Sequence, residues 1–497
     1  MTLPTGIAAI AAAEPDRPAL VDGDERLSYG QLEARINRLA HLLADRGVQH
    51  GDRVSVLLRN RPEVFVAWNA IGRLGGIPVP VSYRFTAPEI QYVVSDSNSV
   101  AFIHDADTDP AVVSGLDDVR SCLDIDKLPL DDGPATPPIE DFLGTLVIPM
   151  AYTSGTTGRP KGIARGLPKA SREASPNPIG LFWGFGPDDV HLMCGPAYHT
   201  APGGYAQVHL WIGAPIVIMQ PFNADECLRL IETERVTTSH LVPANFVRIL
   251  DVDWQRYDLS SVRKILHAAA PCPPSLKRRI FDVFPPGTVW EYYGMSEGMG
   301  TTISPEEWLR KPGSVGRAFP GLDLKIVGED GAALPPGEIG TIRVSAIPGY
   351  EFGYHNAPEK TEAAWDSGYF TVGDLGWVDD DGYLFIADRR TDLVISGGVN
   401  IYPAEVEQAV AEHPAVADVA VFGIPDERMG QLVHAVVELR PGRECSADDL
   451  VASLRGTLAD FKLPRSIEFV DLLPREPNGK VRKTELRDAY LTRQTSR

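Results

Sequence analysis

The chain is poor in what would tie it to a disulfide framework, a nucleic acid or a membrane. Its 497 residues hold five cysteines, Cys122, Cys194, Cys227, Cys272 and Cys445, widely spaced and without a C-x-x-C pair. That excludes a disulfide scaffold or structural zinc site and fits reduced thiols in a cytoplasmic protein. Basic residues fall short of acidic ones, 47 against 67, for a formal net charge of −20. No basic field is present to hold nucleic acid, so any anionic ligand must be met by local donors. Long apolar runs are missing as well. The longest, around Leu210 to Met219, is interrupted by Gly213 and Pro215 and falls short of the roughly 20 residues of a membrane span. The N-terminal MTLPTGIAAIAAAEPDRP has no basic stretch ahead of its alanines, so a helix is expected there and not a signal peptide. No repeat of solenoid period occurs.

What the chain does have is an ordinary globular mixture, 43% apolar and 23% charged, long enough for roughly three structural units. Leu32, Ile36, Leu39 and Leu43 follow helical spacing, and Gly47 suits the end of that helix. RVSVLL, a further helix and IPVPVS continue a β-α-β rhythm, which predicts parallel sheet covered by helices. The rhythm recurs through AFIHD, LVIPMAYTSG, APIVIMQ, TTSHLVP and KILHAAA, with a Pro- and Asp-rich surface loop at 124–140. From Gly316 the strands become short and Gly-punctuated, as in a small β-barrel or meander. After Arg390 the texture changes again. A helix over 403–413, a strand pair in VADVAVFGIP and LVHAVVEL, and a helix over 446–459 indicate a separate α+β domain.

The sharpest local signal is Tyr152-Thr153-Ser154-Gly155-Thr156-Thr157-Gly158-Arg159-Pro160-Lys161-Gly162, following the apolar LVIPMA. Small hydroxylic residues and glycines expose backbone N–H groups, and Arg159 and Lys161 add charge. A polyphosphate needs that combination of many donors at short range. The glycine spacing, and Gly162 after Lys161, distinguish the run from a Walker A loop.

This run resembles the phosphate loop of the adenylate-forming superfamily, which includes acyl-CoA synthetases, 4-coumarate–CoA ligases and luciferases. Further motifs of that family follow in order: WEYYGMSEG (290–298), FTVGDLG (370–376), ADRRTDLVISGGVNIYPAEVE (387–407) and LPREPNGKVRK (473–483). The resemblance implies an α/β fold. A large N-terminal domain (1–390) of stacked α/β subdomains and a small β-barrel would be followed by a smaller mobile α+β domain (391–497), with the hinge at Thr391. It further implies ATP, Mg²⁺ and coenzyme A as ligands. Tyr293 would stack on adenine, with Ala269, Ala270, Glu291 and Tyr292 along its edge. Ser296 would meet the α-phosphate, Glu297 would hold Mg²⁺, and Asp374 and Arg389 would meet the ribose. Asn400 would lie near the adenylate. Lys480 would bind the substrate carboxylate and the α-phosphate. Gly397 and Gly398 would line the pantetheine tunnel, and Phe461, Arg465 and Arg84 would contact coenzyme A. Family members commonly carry Asp or Lys where this chain has Thr391.

For the acid, the resemblance points to the segment 196–207 with His199 and Tyr205, to Asn245-Phe246, and to Ala268 and Gly298. No carboxylate follows Tyr198, so an amino acid substrate is not expected. The small, apolar lining implies a hydrophobic acid: a fatty acid, an aryl-propenoic acid such as coumaric or ferulic acid, or a steroid side-chain acid. The expected partners are that acid and coenzyme A, with a homodimer left open. A stand-alone enzyme loading a carrier-protein thiol is the alternative. A non-catalytic nucleotide-binding protein is a third reading, opposed by the presence of Lys480, Glu297 and Asp374.

Overall fold

The computed structural model describes residues 3–495 other than 154–159, 168–177, 348–349, 390–391, 398, 456 and 477–479. The helix Tyr29–Asp45 shows how local signals set the elements. Ser28 and Gln31 form a reciprocal capping box at its start, satisfying two orphan donors. Leu32, Ile36, Leu39 and Leu43 are all buried. Gly47 follows with φ +81°, a conformation that favours a residue without Cβ.

The site is organised by a nine-stranded sheet. Six of its strands run parallel, in the order Pro18–Asp22, Ile216–Ile218, His191–Met193, Thr238–Leu241, Lys264–His267 and Val289–Met295. Antiparallel strands flank them: Glu25–Ser28 at one edge, Gly298–Ile303 and Arg317–Ala318 at the other. A second parallel sheet orders Ile77–Pro80, Arg53–Leu57, Ser99–His104 and Ser121–Asp124. Helix Pro62–Arg73 lies between them, with Phe65, Val66, Trp68 and Ile71 buried in a core shared with Leu20, Ile216 and Ile103.

Three expectations change in detail. LVIPMA joins no ladder. Pro149 has no N–H to give, and Met150 N bonds singly to Pro78 O at 2.9 Å. Only Tyr152–Thr153 pairs, antiparallel to Lys161–Ala164. The expected barrel is an antiparallel sheet of Leu324–Val327, Gly340–Ser345, Trp365–Asp366, Tyr369–Phe370, Asp374–Val378 and Leu384–Arg389, with no ladder closing it among the described residues. In the C-terminal part, Val416–Asp426 pairs antiparallel with Gly430–Leu439 as expected. The helix there spans only Ala447–Leu454, capped by Ser446. That five-stranded sheet has its own core around Val406, Val421, Val437 and Leu450.

Candidate active site

A cavity of about 660 Å³ opens at the carboxyl ends of the parallel strands, where open α/β sheets bind ligands. Strand His191–Met193 leads into Cys194–Pro202 on one wall. His240 and Val242 follow from the next strand, Ala268 and Ala269 from the third, and Tyr292 with Gly294–Met299 from the fourth. Arg475, Glu476 and Lys480 of the C-terminal part close it.

One end collects groups suited to a nucleotide. Thr153 and Lys161, flanking 154–159, both line the cavity. Asp374 and Arg389 are register partners on adjacent strands, and Arg389 Nε stands 3.0 Å from Asp374 Oδ1. Tyr293 Oη donates to Asp374 Oδ2 at 2.6 Å. Asp374 Oδ1 is buried yet accepts no hydrogen bond, because the Arg389 contact lacks the geometry of one. A buried lone pair of this kind suits a ligand hydroxyl. Burial holds the Lys480 ammonium below its ordinary value, as does Arg389, while Glu476, Asp392 and Asp374 oppose that shift. Lys480 and Arg389 line the same cavity. Ser296 Oγ lies 2.9 Å from Thr200 Oγ1, and Tyr354 Oη donates to Glu297 Oε1 at 2.8 Å. Ala269 has φ +74° without being glycine, a strained conformation that surrounding structure must hold.

Magnesium fits this end in one way. Among the described residues no three His, Cys, Asp or Glu side chains gather as a metal cage, and Glu297 and Glu476 are the only acidic residues on the wall. Magnesium takes one or two carboxylates and completes its octahedron with phosphate and water oxygens, so Glu297 with a polyphosphate matches that donor set.

The other end has the acid-pocket residues. His199, Tyr205, Ala268 and Gly298 line the cavity. Burial pushes the His199 imidazole down to about 4, with Arg84 adding to the effect, and its Nε2 is buried without a hydrogen-bond partner. Phe246 is a correction: it is absent from the lining and fully buried, packed on His267 at 5.1 Å between ring centroids. Helix Pro243–Leu250 is amphipathic, so Phe246 and Ile249 face the core while Ala244, Asn245 and Arg248 face the cavity. Gly298 is glycine because of a close approach. A Cβ there would stand 2.8 Å from Phe370 Cζ.

Other expected residues are dispersed. Glu291 does not line the cavity. Its carboxylate accepts from the buried Lys277 Nζ at 2.5 Å, and His267 Nε2 lies 3.8 Å away. Ala270, Tyr293 and Asp374 adjoin the lining without forming it. Arg84 lines the cavity near His199, apart from Phe461, which is exposed, and Arg465, which is bonded to Asp460. Asn400 pairs with Ile395 in a hairpin outside the cavity. In that hairpin Gly397 has φ +58°, and its N donates to Met429 O. Ser154, Gly155, Thr156, Thr157, Gly158, Gly398 and Thr391 lie outside the described residues.

Comparison with known proteins decides the family. The AMP-binding enzyme family matches residues 7–353, and the AMP-binding enzyme C-terminal domain matches residues 405–480. The chain belongs to the AMP-binding enzyme family. It is 33% identical to a fatty acid–[acyl-carrier-protein] ligase of Streptomyces coeruleorubidus, over 97% of this chain and 95% of that one. It is 35% identical to a feruloyl-CoA synthase of an Amycolatopsis species, over 97% of both. Its fold matches o-succinylbenzoate–CoA synthetase of Bacillus subtilis, solved with its acyl-adenylate, with a TM-score of 0.84 and 30% identity over 98% of each chain. The latter enzyme has also been solved with ATP and a magnesium ion. This AMP-binding enzyme is thus a member of the AMP-forming acid–thiol ligases, adenylate-forming proteins with a large N-terminal and a small C-terminal domain. No described helix is long and apolar enough to cross a membrane.

Two residues of this AMP-binding enzyme escaped the sequence reading. Arg165 donates to Tyr350 O at 2.8 Å and Ser296 O at 2.9 Å, fixing the Ser296–Glu297 turn from behind. Tyr354 joins Glu297 to Lys161, whose Nζ lies 5.3 Å from the Tyr354 ring centroid. Arg165 stands only four residues beyond Lys161, but nothing in the sequence marks a carbonyl partner 131 positions away.

Proposed function

We propose that this enzyme activates a hydrophobic carboxylic acid as its acyl-adenylate and transfers the acyl group to coenzyme A, releasing pyrophosphate and then AMP. The observation that carries the reading is a single cavity lined by Lys480 and by Arg389, itself 3.0 Å from Asp374, and also by the small and aromatic Ala268, Gly298 and Tyr205. In the first step a carboxylate oxygen attacks the α-phosphorus and the pyrophosphate oxygen leaves. Negative charge gathers there, and Lys480, Ser296 and the 153–161 loop are assigned to stabilise it. Magnesium held by Glu297 would neutralise phosphate charge. Tyr293 is assigned to adenine and Asp374 to the ribose hydroxyls. In the second step a thiolate attacks the acyl carbonyl and AMP departs. A thiol of ordinary pKa, about 8.5, is already partly ionised near neutrality. The C-terminal part would turn about Thr391 between the steps, bringing Gly397 and Gly398 to the thiol arm, with Phe461, Arg465 and Arg84 toward the coenzyme A nucleotide.

The carrier-protein reading stays as a second because one relative is named as an acyl-carrier-protein ligase. Acid-dependent pyrophosphate release across fatty, cinnamic and steroidal acids tests the first step. Saturable thioester formation with free coenzyme A, set against a phosphopantetheinylated carrier protein, separates the two acceptors. A cytoplasmic location and a homodimer belong to the same proposal.

A further inference from the structure

One buried amide stands where two strands of the large sheet stop pairing. His191–Met193 and Ile216–Ile218 run parallel, and their ladder ends with Met219 N donating to Met193 O at 3.1 Å. The chain continues from them as Cys194–Pro202 and Met219–Phe222, and both segments line the cavity. Asn60 stands between them. It follows strand Arg53–Leu57 of the other parallel sheet, just ahead of helix Pro62–Arg73, and is 8% exposed. Its Nδ2 donates to Gly195 O at 2.9 Å and to Met219 O at 3.1 Å, and its Oδ1 accepts from Ala197 N at 2.8 Å. Its backbone N donates to Gln220 Oε1. A side-chain amide has two N–H donors, and both are taken by the protein. Asn60 therefore has no donor left for a substrate. It takes over where the ladder stops and fixes how far apart the two segments stand.

A second amide pair bolts the same wall further along. Gln207 Nε2, on helix Thr200–Ile212, donates to Asn69 Oδ1 at 2.7 Å, and Asn69 Nδ2, on helix Pro62–Arg73, donates back to Gln207 Oε1 at 3.2 Å. Both residues are buried, and Gln207 lines the cavity while Asn69 does not. The packing between the two bolts has no slack. A Cβ on Gly203 would stand 2.1 Å from Ala197 O and 2.7 Å from Trp68 Cη2. His199 and Tyr205 both belong to the segment so held, and both line the cavity. Removing either asparagine amide strands the buried groups it serves, which is costly, so the wall must shift to pair them again.

Resting on the acyl-adenylating reading above, we infer that Asn60 and Asn69 are positioning residues for the acid: they hold segment 195–207 at the spacing that decides which acids fit. A misplacement of about 1 Å costs about 10²-fold in rate, and one methylene in an apolar pocket is worth about 10–200-fold in discrimination.

The test uses the full-length protein with Asn60→Ala and Asn69→Leu, and octanoic, decanoic, cinnamic and cholic acids as probes. The readouts are kcat and KM for acid-dependent pyrophosphate release. Each variant should raise the acid KM by about tenfold or more and change the kcat/KM ratio of the parent's two best acids by a similar factor, with the KM for ATP unchanged. A merely structural role would lower the active fraction, which cuts kcat for every acid alike and leaves each KM and the ratio as they were. That result overturns the inference, as does a KM for ATP that rises together with that for the acid, or no change at all. Should Asn60→Ala fail to fold, Asn69→Leu, at a position outside the cavity lining, reads the same quantities. A parent that releases no pyrophosphate with any of these acids would instead overturn the acyl-adenylating reading, and this inference with it.

Discussion

Replacing Lys277 by methionine should unfold the protein at a markedly lower denaturant concentration although the volume hardly changes. Lys277 Nζ is buried, 2.5 Å from Glu291 Oε2, with the Trp308 ring at 5.0 Å and the Phe281 ring at 6.0 Å. Methionine keeps the length and packs well against rings, so the counter-charge is what is lost. Breaking a buried pair by removing one partner costs about 3–5 kcal/mol. Burial already raises the Glu291 carboxyl, with Lys277 opposing it, so the substitution raises it further. A carboxyl raised in the folded state destabilises that state above its unfolded value of 4.5, and the penalty fades below it. The deficit should therefore be larger at pH 8 than at pH 5.5. Glu291 also adjoins Tyr292 and Tyr293 on strand Val289–Met295, so the KM for ATP should rise. Lys277→Met with Glu291→Leu should recover most of the loss, because replacing both charges removes the stranded one. Urea midpoints followed by tryptophan fluorescence at both pH values measure this. A single variant as resistant as the parent, or a double variant no better than the single, would refute the reasoning.

Tyr293→Phe removes the 2.6 Å bond to Asp374. At about 1.5–3 kcal/mol for a bond to a charged group, the KM for ATP should rise roughly tenfold or more, read from ATP titration of pyrophosphate release. Gly298→Ala should cost about 1–3 kcal/mol by overpacking against Phe370, and Phe370→Leu should restore the thermal midpoint. Burial pushes His191, His199, His209, His240 and His267 well down. A histidine depressed in the folded state contributes stability above its unfolded value, near 6.5. Urea midpoints should accordingly fall from pH 7.5 to pH 5, and a flat profile would contradict the burial of these rings as neutral groups.

The sequence made legible whatever is local. The Ser28–Gln31 cap, the 32-36-39-43 stripe and the Gly47 turn are each set within a few residues. The parallel sheet followed from short β-rich runs alternating with helices. LVIPMA misled because its composition is strand-like while Pro149 denies it a ladder. Phe246 misled because adjacent residues on a helix point about 100° apart, and only the packed helix shows that Asn245 takes the cavity side while Phe246 is buried. The Glu291 carboxylate went to Lys277, and the Ser296–Glu297 turn to Arg165, through contacts between residues far apart in the chain or unmarked by pattern. His240 carried no motif at all. Its place on the cavity wall comes from the register of Thr238–Leu241 beside Lys264–His267.

The most direct test of the account is Lys480→Ala, assayed separately in the two half-reactions. Acid-dependent pyrophosphate release should fall by about 10²–10³, the scale of losing one charge-stabilising donor. Thioester formation from a preformed acyl-adenylate and coenzyme A should stay near the parent rate, since the lysine acts on the α-phosphate only in the first step. Equal losses in both half-reactions, or pyrophosphate release undiminished, would contradict the role assigned to Lys480 and with it the central claim.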